Sequence, residues 1–168
     1  MRLKGFGIGH ADDQRLKSGV TVILPDRPAT AAVHVMGGAP GTRETDLLSP
    51  EQLVQTIDAI VLSGGSAFGL DAASGAQAWL REQNRGYPVG EIRVPIVPSA
   101  ICFDLNNGGD NSWGRYPPYR ELGHQAASQT TSNPGEGSVG AGSGATTAGA
   151  AGGFGLAEQT LGDEIVVS

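Results

Sequence analysis

Residues 59–70 read A-I-V-L-S-G-G-S-A-F-G-L, an apolar run that passes through Ser63, Gly64, Gly65 and Ser66 into an alanine-rich segment. Four consecutive apolar residues before a glycine turn are typical of a strand that is buried on both faces. The serine after the turn is placed to cap a helix. The unit therefore predicts a layered domain, of the α/β or α+β kind, in which a helix packs against a buried strand.

The helix predicted after this turn has its apolar side chains on one face, because their spacing follows the helical period. These residues are Ala72, Ala76, Trp79 and Leu80. Small residues near its start would let the helix lie close against a sheet, and Gly86 is placed to end it.

Further elements are predicted on both sides of this unit. Residues 20–24 are β-branched and stop at Pro25, which predicts a strand. Ser49 followed by Pro50 has the chemistry of a helix start, which predicts one or two helical turns. The remaining predictions are an edge strand at 5–10, strands at 31–36, 92–97 and 164–167, and a helix at 118–127.

The composition indicates one packed domain, residues 1–168. The chain is 39% apolar and 17% charged, which excludes wholesale disorder. Its net charge of −6 argues against nucleic acid or an anionic membrane surface as a partner. Cys102 is the only cysteine, so an intramolecular disulfide is excluded. Neither a signal-peptide core nor a run of roughly 20 apolar residues is present, and we expect a cytoplasmic protein.

The glycine-rich tract at residues 136–149 reads E-G-S-V-G-A-G-S-G-A-T-T-A-G, and such backbone suits the close approach of a ligand. Gly140, Ala141, Gly142 and Ser143 begin a loose G-x-G-x-x-A pattern. A turn precedes this pattern where a dinucleotide fingerprint needs a strand, and further glycines interrupt any helix after it. A loop that lines a site or contacts a subunit fits better than a nucleotide site.

The turn at residues 63–66 has two interpretations. Backbone N–H groups at a helix N-terminus stabilise an oxyanion, a carboxylate or a phosphate. The alternative is a tight strand-to-helix turn with a capping serine, and the pattern favours this simpler interpretation. The turn is not a nucleophile elbow, because Phe68 stands where the last glycine of G-x-S-x-G should be.

The three histidines, His10, His34 and His124, lack metal-type spacing, and a lone cysteine does not complete a zinc site. We therefore expect neither a metal nor a cofactor. A Ser-His-Asp triad that combines Ser63 or Ser66 with His124 stays open at this point, although the pattern gives it little support.

Two further features have structural explanations. Asp104 follows an apolar run, so its carboxylate needs a partner or a role, and a turn or cap at the strand end is the simpler account. Trp113, Tyr116 and Tyr119 form the aromatic cluster of the sequence. Such a cluster is typical of a surface wall or a subunit contact, and the one arginine within it, Arg115, does not make it a nucleic-acid site.

Three stretches, residues 62–73, 94–105 and 136–145, occur in an order that resembles the amino-terminal part of one peptidase family. This family contains the DmpA aminopeptidases, the β-peptidyl aminopeptidases and the nylon-oligomer hydrolases. The resemblance implies an αββα sandwich and a precursor that cuts its own chain to expose a Ser or Thr nucleophile, whose own amino group can act as base. It also implies a homo-oligomer and small amide or peptide substrates with a free amino end.

The resemblance makes this chain the amino-terminal (α-chain) portion of such a hydrolase, incomplete by itself. The family's nucleophile, the acidic residues that orient it and an oxyanion-binding Asn are expected beyond Ser168, in a carboxy-terminal (β) chain. Phe103 stands where several relatives have a Tyr, and Gly149 where some have a Lys. The implied pocket residues are Ser63, Gly64, Gly65, Ser66, Phe103, Asp104, Gly140, Ala141, Gly142 and Ser143.

Two alternatives remain open from the sequence. The ornithine acetyltransferase family shares the implied architecture and self-cleavage but transfers an acetyl group. A non-catalytic fragment or interaction domain of the same fold is the alternative from another class. The choice among D- or L-aminoacyl amides, β-peptides and aminohexanoate oligomers is not encoded in these residues.

Overall fold

A computed structural model describes residues 4–157, 159–161 and 165–167. A five-stranded sheet with the spatial order β1-β2-β4-β7-β3 forms its centre. In chain order the strands are β1 (Phe6–Asp13), β2 (Ser18–Pro25), β3 (Thr42–Arg43), β4 (Ile60–Ser63), β5 (Tyr87–Val89), β6 (Ile92–Val94), β7 (Ser99–Ile101), β8 (Thr146–Thr147), β9 (Ala150–Ala151), β10 (Gln159–Leu161) and β11 (Ile165–Val167).

The sheet confirms the strands predicted at residues 5–10, 20–24 and 59–62. β1 and β2 form an antiparallel hairpin with β1 at the edge, and β2 also pairs antiparallel with β4. β4 pairs parallel with β7. A parallel pair needs a crossover connection, which here contains the helix that follows the 63–66 turn.

Two helices cover one face of the sheet, α1 (Ala72–Glu82) and α2 (Tyr119–Ser128). This helix face contributes Val20, Val22 and Val61, all completely buried, to a core shared with the apolar sides of both helices. The helix predicted at 118–127 and the apolar face predicted for α1 are thereby confirmed. The small residues of α1 allow close packing against α2 rather than against the sheet. A Cβ at Gly75 would overlap the backbone carbonyl of Arg120 in α2.

The second face of the sheet carries the alternate residues of the same strands. Ile60 and Leu62 on β4 and Ala100 on β7 are only half-buried there, beside the buried Thr21. β4 is therefore not buried on both faces as its continuous apolar sequence predicts. The glycine-rich tract covers part of this face through the 3-10 helix Gly140–Gly142.

The strand predicted at residues 31–36 is wrong. This segment forms neither helix nor strand in the structure, and Val33 and Met36 are 47% and 76% exposed. His34 accordingly does not lie in a strand. β-branched residues favour a strand only where a neighbouring strand is available, and within the described ranges no strand pairs with this segment.

Helix boundaries also differ from the predictions. A 3-10 helix, Asp46–Leu48, ends before Ser49, so the helix predicted to start there is wrong. α1 ends at Glu82, four residues before Gly86, because Asn84 adopts the left-handed conformation (φ 55°). The Arg85 N–H then reaches the Leu80 carbonyl at 2.9 Å, which closes the helix end.

The remaining strands form three small hairpins, β5–β6, β8–β9 and β10–β11. The strand predicted at residues 92–97 is confirmed only for Ile92–Val94, and the segment after Pro95 leads into β7. The strand predicted at 164–167 is confirmed for Ile165–Val167, while Glu164 lies outside the described residues. Neither helix has the length and apolarity that crossing a membrane requires, among the residues described.

Candidate functional site

A cavity of about 250 Å³ lies where the ends of β4 and β7 meet the glycine-rich tract. Its wall combines one residue of the 63–66 turn with three of the tract. The lining residues are Leu62, Ser63, Ala100, Ile101, Cys102, Ala141, Gly142, Ala145, Gly153 and Phe154. The structure therefore brings the two predicted loops together, and their role in substrate binding stays a prediction.

The 63–66 turn bends too sharply for a capped helix to begin at Ser66. Gly65 and Ser66 have φ values of 84° and 52°, and the Ser66 side chain makes no capping hydrogen bond. Ser66 opens a 3-10 helix, Ser66–Asp71, and α1 begins only at Ala72. The prediction that Ser66 caps a helix is therefore wrong.

The backbone N–H groups of this turn are occupied by the protein itself. The Gly64 N–H donates to the Gly19 carbonyl at 2.9 Å, and the Gly65 N–H donates to Asp104 Oδ1 at 2.6 Å. The Ser66 N–H donates to the Cys102 carbonyl at 3.0 Å. These three donors are not available to an oxyanion, so the tight-turn interpretation of the sequence is the one that the structure supports.

The glycine-rich tract is anchored on the second face of the sheet by two polar side chains. The Gly140 N–H donates to Asp12, and the Ala141 N–H donates to Thr21 Oγ1 at 3.0 Å. Thr21 Oγ1 also lies 3.0 Å from His10 Nδ1. The wall of the cavity is thus positioned by Asp12, Thr21 and His10. The sequence signal for this role was the alternation of polar residues along two neighbouring strands.

Glycine is required in both loops by close packing within the protein. A Cβ at Gly64 would overlap Asp104 Oδ2, and one at Gly65 would overlap the Tyr119 ring. A Cβ at Gly142 would overlap the backbone N of Phe154. Packing within the protein therefore explains glycine at these positions, and a role for these glycines in the approach of a substrate stays a prediction.

Asp104 is buried, as the apolar run before it predicts, and both of its oxygens have partners. Oδ1 accepts the Gly65 N–H, and Oδ2 accepts the Ser18 hydroxyl at 2.6 Å. The Tyr119 hydroxyl donates to Ser18 Oγ at 3.1 Å. Burial raises the pKa of Tyr119, so this phenol stays protonated and acts as a donor.

Cys102 lines the cavity, and the sequence analysis did not count it among the site residues. Its thiol lies 3.6 Å from the Ala141 carbonyl. Burial raises the pKa of the Cys102 thiol, and the Asp104 carboxylate raises it further. A neutral thiol is a poor nucleophile, so Cys102 contributes to the shape of the wall rather than to attack.

Several other candidates stand apart from the cavity lining. Phe103 is absent from the cavity lining, and 60% of its surface is exposed. Ser143 is also absent from the lining, and its carbonyl accepts a hydrogen bond from the Ser138 hydroxyl. Tyr116 is largely exposed, whereas Tyr119 belongs to the core. The aromatic cluster is thus divided between surface and interior.

The triad that combines Ser63 or Ser66 with His124 is not formed. The Ser63 hydroxyl donates to the Gly64 carbonyl at 2.9 Å, and His124 Nε2 lies 3.1 Å from a Glu82 carboxylate oxygen. In a triad the nucleophilic hydroxyl must contact its general base. Here the Ser63 hydroxyl and the His124 ring have different hydrogen-bond partners, so they do not form such a pair. Over the described part of the chain, no group of three metal-ligating side chains is present.

A larger cavity of about 360 Å³ shares no residue with the candidate site. It lies between the extended segment at residues 30–33 and the segments at 47–50 and 54–57. Its wall carries no ionisable side chain. The wall of the smaller cavity includes Ser63 and Cys102, so the smaller cavity is the candidate site.

Comparisons with known proteins identify relatives along most of the chain. It is 45% identical over 149 residues to an uncharacterized aminopeptidase of Mycobacterium bovis, which covers 89% of this chain and 42% of that protein. It is 31% identical over 102 residues to a 6-aminohexanoate-oligomer endohydrolase of Kocuria sp. (strain KY2), covering 61% of this chain and 26% of that protein. The chain therefore spans less than half the length of these relatives.

Two solved structures share the fold. The β-aminopeptidase of a Burkholderia species superposes with a TM-score of 0.61 at 21% identity, covering 84% of this chain and 41% of that one. The L-aminopeptidase D-Ala-esterase/amidase of Ochrobactrum anthropi, a variant of the Ntn hydrolase fold, has a TM-score of 0.63 at 21% identity, covering 86% and 43%. At such identities the likeness supports the layered α/β fold alone.

The model of peptidase family S58 matches residues 3–167, nearly the whole chain. This match includes both loops that line the cavity and confirms the resemblance that the sequence motifs indicated. The chain belongs to peptidase family S58.

Proposed function

We propose that this chain is the amino-terminal portion of a self-cleaving amidohydrolase of the aminopeptidase type. It would act on amides or peptides with a free amino end, and a carboxy-terminal chain would supply the Ser or Thr nucleophile. The observation that carries this proposal is the cavity between the two family loops, whose wall holds no activated nucleophile. The Ser63 hydroxyl is bonded to a backbone carbonyl, and the Cys102 thiol is neutral.

The exposure of the second face of the sheet supports the proposal of a partner chain. Ile60, Leu62 and Ala100 are only half-buried there. In addition, the segment at residues 31–36 exposes apolar side chains. Exposed apolar surface of this kind marks an interaction site. We propose that a second sheet from the carboxy-terminal chain covers this face and completes an αββα sandwich.

The substrate class rests on the relatives. The mycobacterial relative is named an aminopeptidase and the Kocuria relative a 6-aminohexanoate-oligomer endohydrolase. Both names describe cleavage of an amide bond in a chain that has an amino end. We therefore propose amide hydrolysis rather than acetyl transfer as the chemistry of the assembled protein.

The test compares the chain alone with the chain co-produced with the carboxy-terminal part of the M. bovis relative. We expect hydrolysis of p-nitroanilides of D-Ala, L-Ala or a β-amino acid only when both parts are present, because the attacking group comes from the second part. Turnover by the chain alone that disappears in Ser63→Ala or Ser66→Ala would overturn the proposal. A folded two-part complex without turnover would favour a non-catalytic or acyl-transfer role.

A variant of the wall tests whether the cavity is the site. Ala141→Leu adds bulk to the lining and is expected to reduce turnover of the two-part enzyme by about tenfold or more, since a displaced substrate reacts slowly. Ala78→Leu, on the exposed side of α1, is the matched control and should leave turnover unchanged. Equal turnover in the two variants would exclude this cavity.

The partner is tested separately by size-exclusion chromatography with light scattering. We expect oligomers or aggregates of the chain alone and a defined complex with the second part, because the second face then becomes buried. A monodisperse monomer that unfolds cooperatively would show that the chain needs no partner.

A further inference from the structure

One buried carboxylate lies between the two loops that line the cavity. Asp104 is 5% exposed and accepts hydrogen bonds from the 63–66 turn through the Gly65 N–H and from Ser18. On the tract side, a Cβ at Gly144 would lie 2.9 Å from Asp104 Oδ2, so the carboxylate packs directly against this glycine. Asp104 therefore contacts both loops, at residues that do not themselves line the cavity.

The space around Asp104 is shaped for it by its neighbours. Gly64 and Gly65 leave the room that the carboxylate and the Tyr119 ring occupy. Tyr119 donates to Ser18, and Ser18 donates to Asp104, so the hydrogen bonds run in one direction toward the charge. A buried carboxylate is tolerated only when it is paired in this way, and charge-assisted bonds are stronger than neutral ones.

The turn that Asp104 holds is strained. Ser66 has a φ of 52°, a left-handed conformation that costs free energy for a residue with a side chain, and Gly65 precedes it at 84°. Such a conformation persists only where the surrounding structure determines it. The bond from the Gly65 N–H to Asp104 provides this constraint at the residue where the bend begins.

We propose that Asp104 is a positioning residue that fixes the 63–66 turn against the glycine-rich tract, supported by Ser18 and Tyr119. It acts through Ser63, the first residue of the turn, and through Cys102, which lies two residues before Asp104 in the chain, and both of these line the cavity. It is not one of the residues that line the cavity, so it acts through the two loops rather than by contact with a substrate. The consequence for activity rests on the proposed function, whereas the structural role does not.

The structural role is tested on the chain by amide hydrogen exchange. In Asp104→Ala the Gly65 N–H loses its acceptor, and its exchange should accelerate by about tenfold or more. Asp104→Asn keeps an acceptor oxygen and should restore most of the protection. Two controls should show no change. One is the Ile8 amide, which donates to the Thr131 carbonyl outside both loops, and the other is the variant Asp110→Asn at an exposed carboxylate.

Ser18→Ala keeps the test decisive if Asp104→Ala fails to fold. It removes one bond to the carboxylate and should accelerate Gly65 exchange by a smaller factor than Asp104→Ala. Unchanged Gly65 exchange in every folded variant, Ser18→Ala included, would overturn the proposal.

The catalytic consequence is tested in the two-part enzyme. A positioning residue predicts that Asp104→Asn retains kcat within about tenfold of the unmodified enzyme with the pH profile intact, whereas removal of a general acid or base costs about 10²- to 10⁴-fold. Loss of one limb of the pH profile in Asp104→Asn, with Gly65 exchange unchanged, would overturn the proposal in favour of proton transfer. Inactivity of the unmodified two-part enzyme would refute the proposed function, and the exchange data would still decide the structural role.

Discussion

The two faces of the central sheet are built by different means. The helix face is completed within this chain by apolar side chains and by glycines that let α1 and α2 approach each other. The second face is covered only in part, by a glycine-rich tract that side chains of β1 and β2 hold through hydrogen bonds. The difference indicates that the helix face supplies the stability of the chain, while the second face carries the cavity and its open surface.

The close packing of α1 on α2 predicts a large effect on the helix face. Gly75→Ala should destabilise the chain by roughly 2 kcal/mol or more, because the new Cβ overlaps the Arg120 carbonyl and must push the helices apart. This loss exceeds the gain of about 1 kcal/mol that alanine brings to a helix interior. Urea unfolding followed by circular dichroism measures it.

Gly38→Ala is the matched control, since a Cβ there meets nothing within 4 Å and the backbone angle is ordinary. Its effect should stay within about 0.5 kcal/mol. Equal effects of the two substitutions would refute the close packing of α1 on α2.

A pair of identical substitutions compares the faces directly. Leu80→Ala, in the completely buried core, should cost about 3 kcal/mol. Leu62→Ala, half-buried on the second face, should cost about 1 kcal/mol in the chain alone, because less apolar surface is lost from the interior. Chemical denaturation of both variants gives the comparison, and similar losses would show that the second face is as closed as the first.

The pH dependence of stability should originate on the second face. Burial lowers the pKa of His10 below its model-peptide value, although a backbone contact with Gly135 and the Asp12 charge act in the opposite direction. The unfolded chain therefore binds the proton more tightly. Stability due to this group is constant above about pH 6.5 and falls as the pH drops toward the lower folded pKa.

Urea unfolding between about pH 8 and pH 5 tests this dependence. His10→Asn should flatten the decline below about pH 6.5 relative to the unmodified chain, because asparagine does not titrate there. A decline of the same slope in both proteins would assign it to other groups.

The smallest expected effect is that of Phe103→Tyr. The ring is 60% exposed, so an added hydroxyl reaches water and the free energy of unfolding should change by less than about 0.5 kcal/mol. Thermal unfolding is the measurement. A larger loss would show that the ring is covered.

The local sequence determined which segments form strands and helices where the apolar side chains of the segment are buried in the core. The β-branched residues of β2, the apolar run of β4 and the one-sided apolar pattern of α1 each specify their own structure, since burial rewards these periods directly. The order of the glycine motifs also sufficed to predict the family, which the match over residues 3–167 confirms.

Tertiary structure decided what depends on partners distant in sequence. Residues 31–36 have the composition of a strand but no strand pairs with them among those described, so propensity alone did not form one. The turn at residues 63–66 left an anion site open beside the favoured tight turn, and the structure decides between them because Gly19, Asp104 and Cys102 occupy its N–H groups. Asp104 acquires its role from Ser18, 86 residues earlier in the chain, because hydrogen bonds form between side chains that folding brings together and that no local pattern relates.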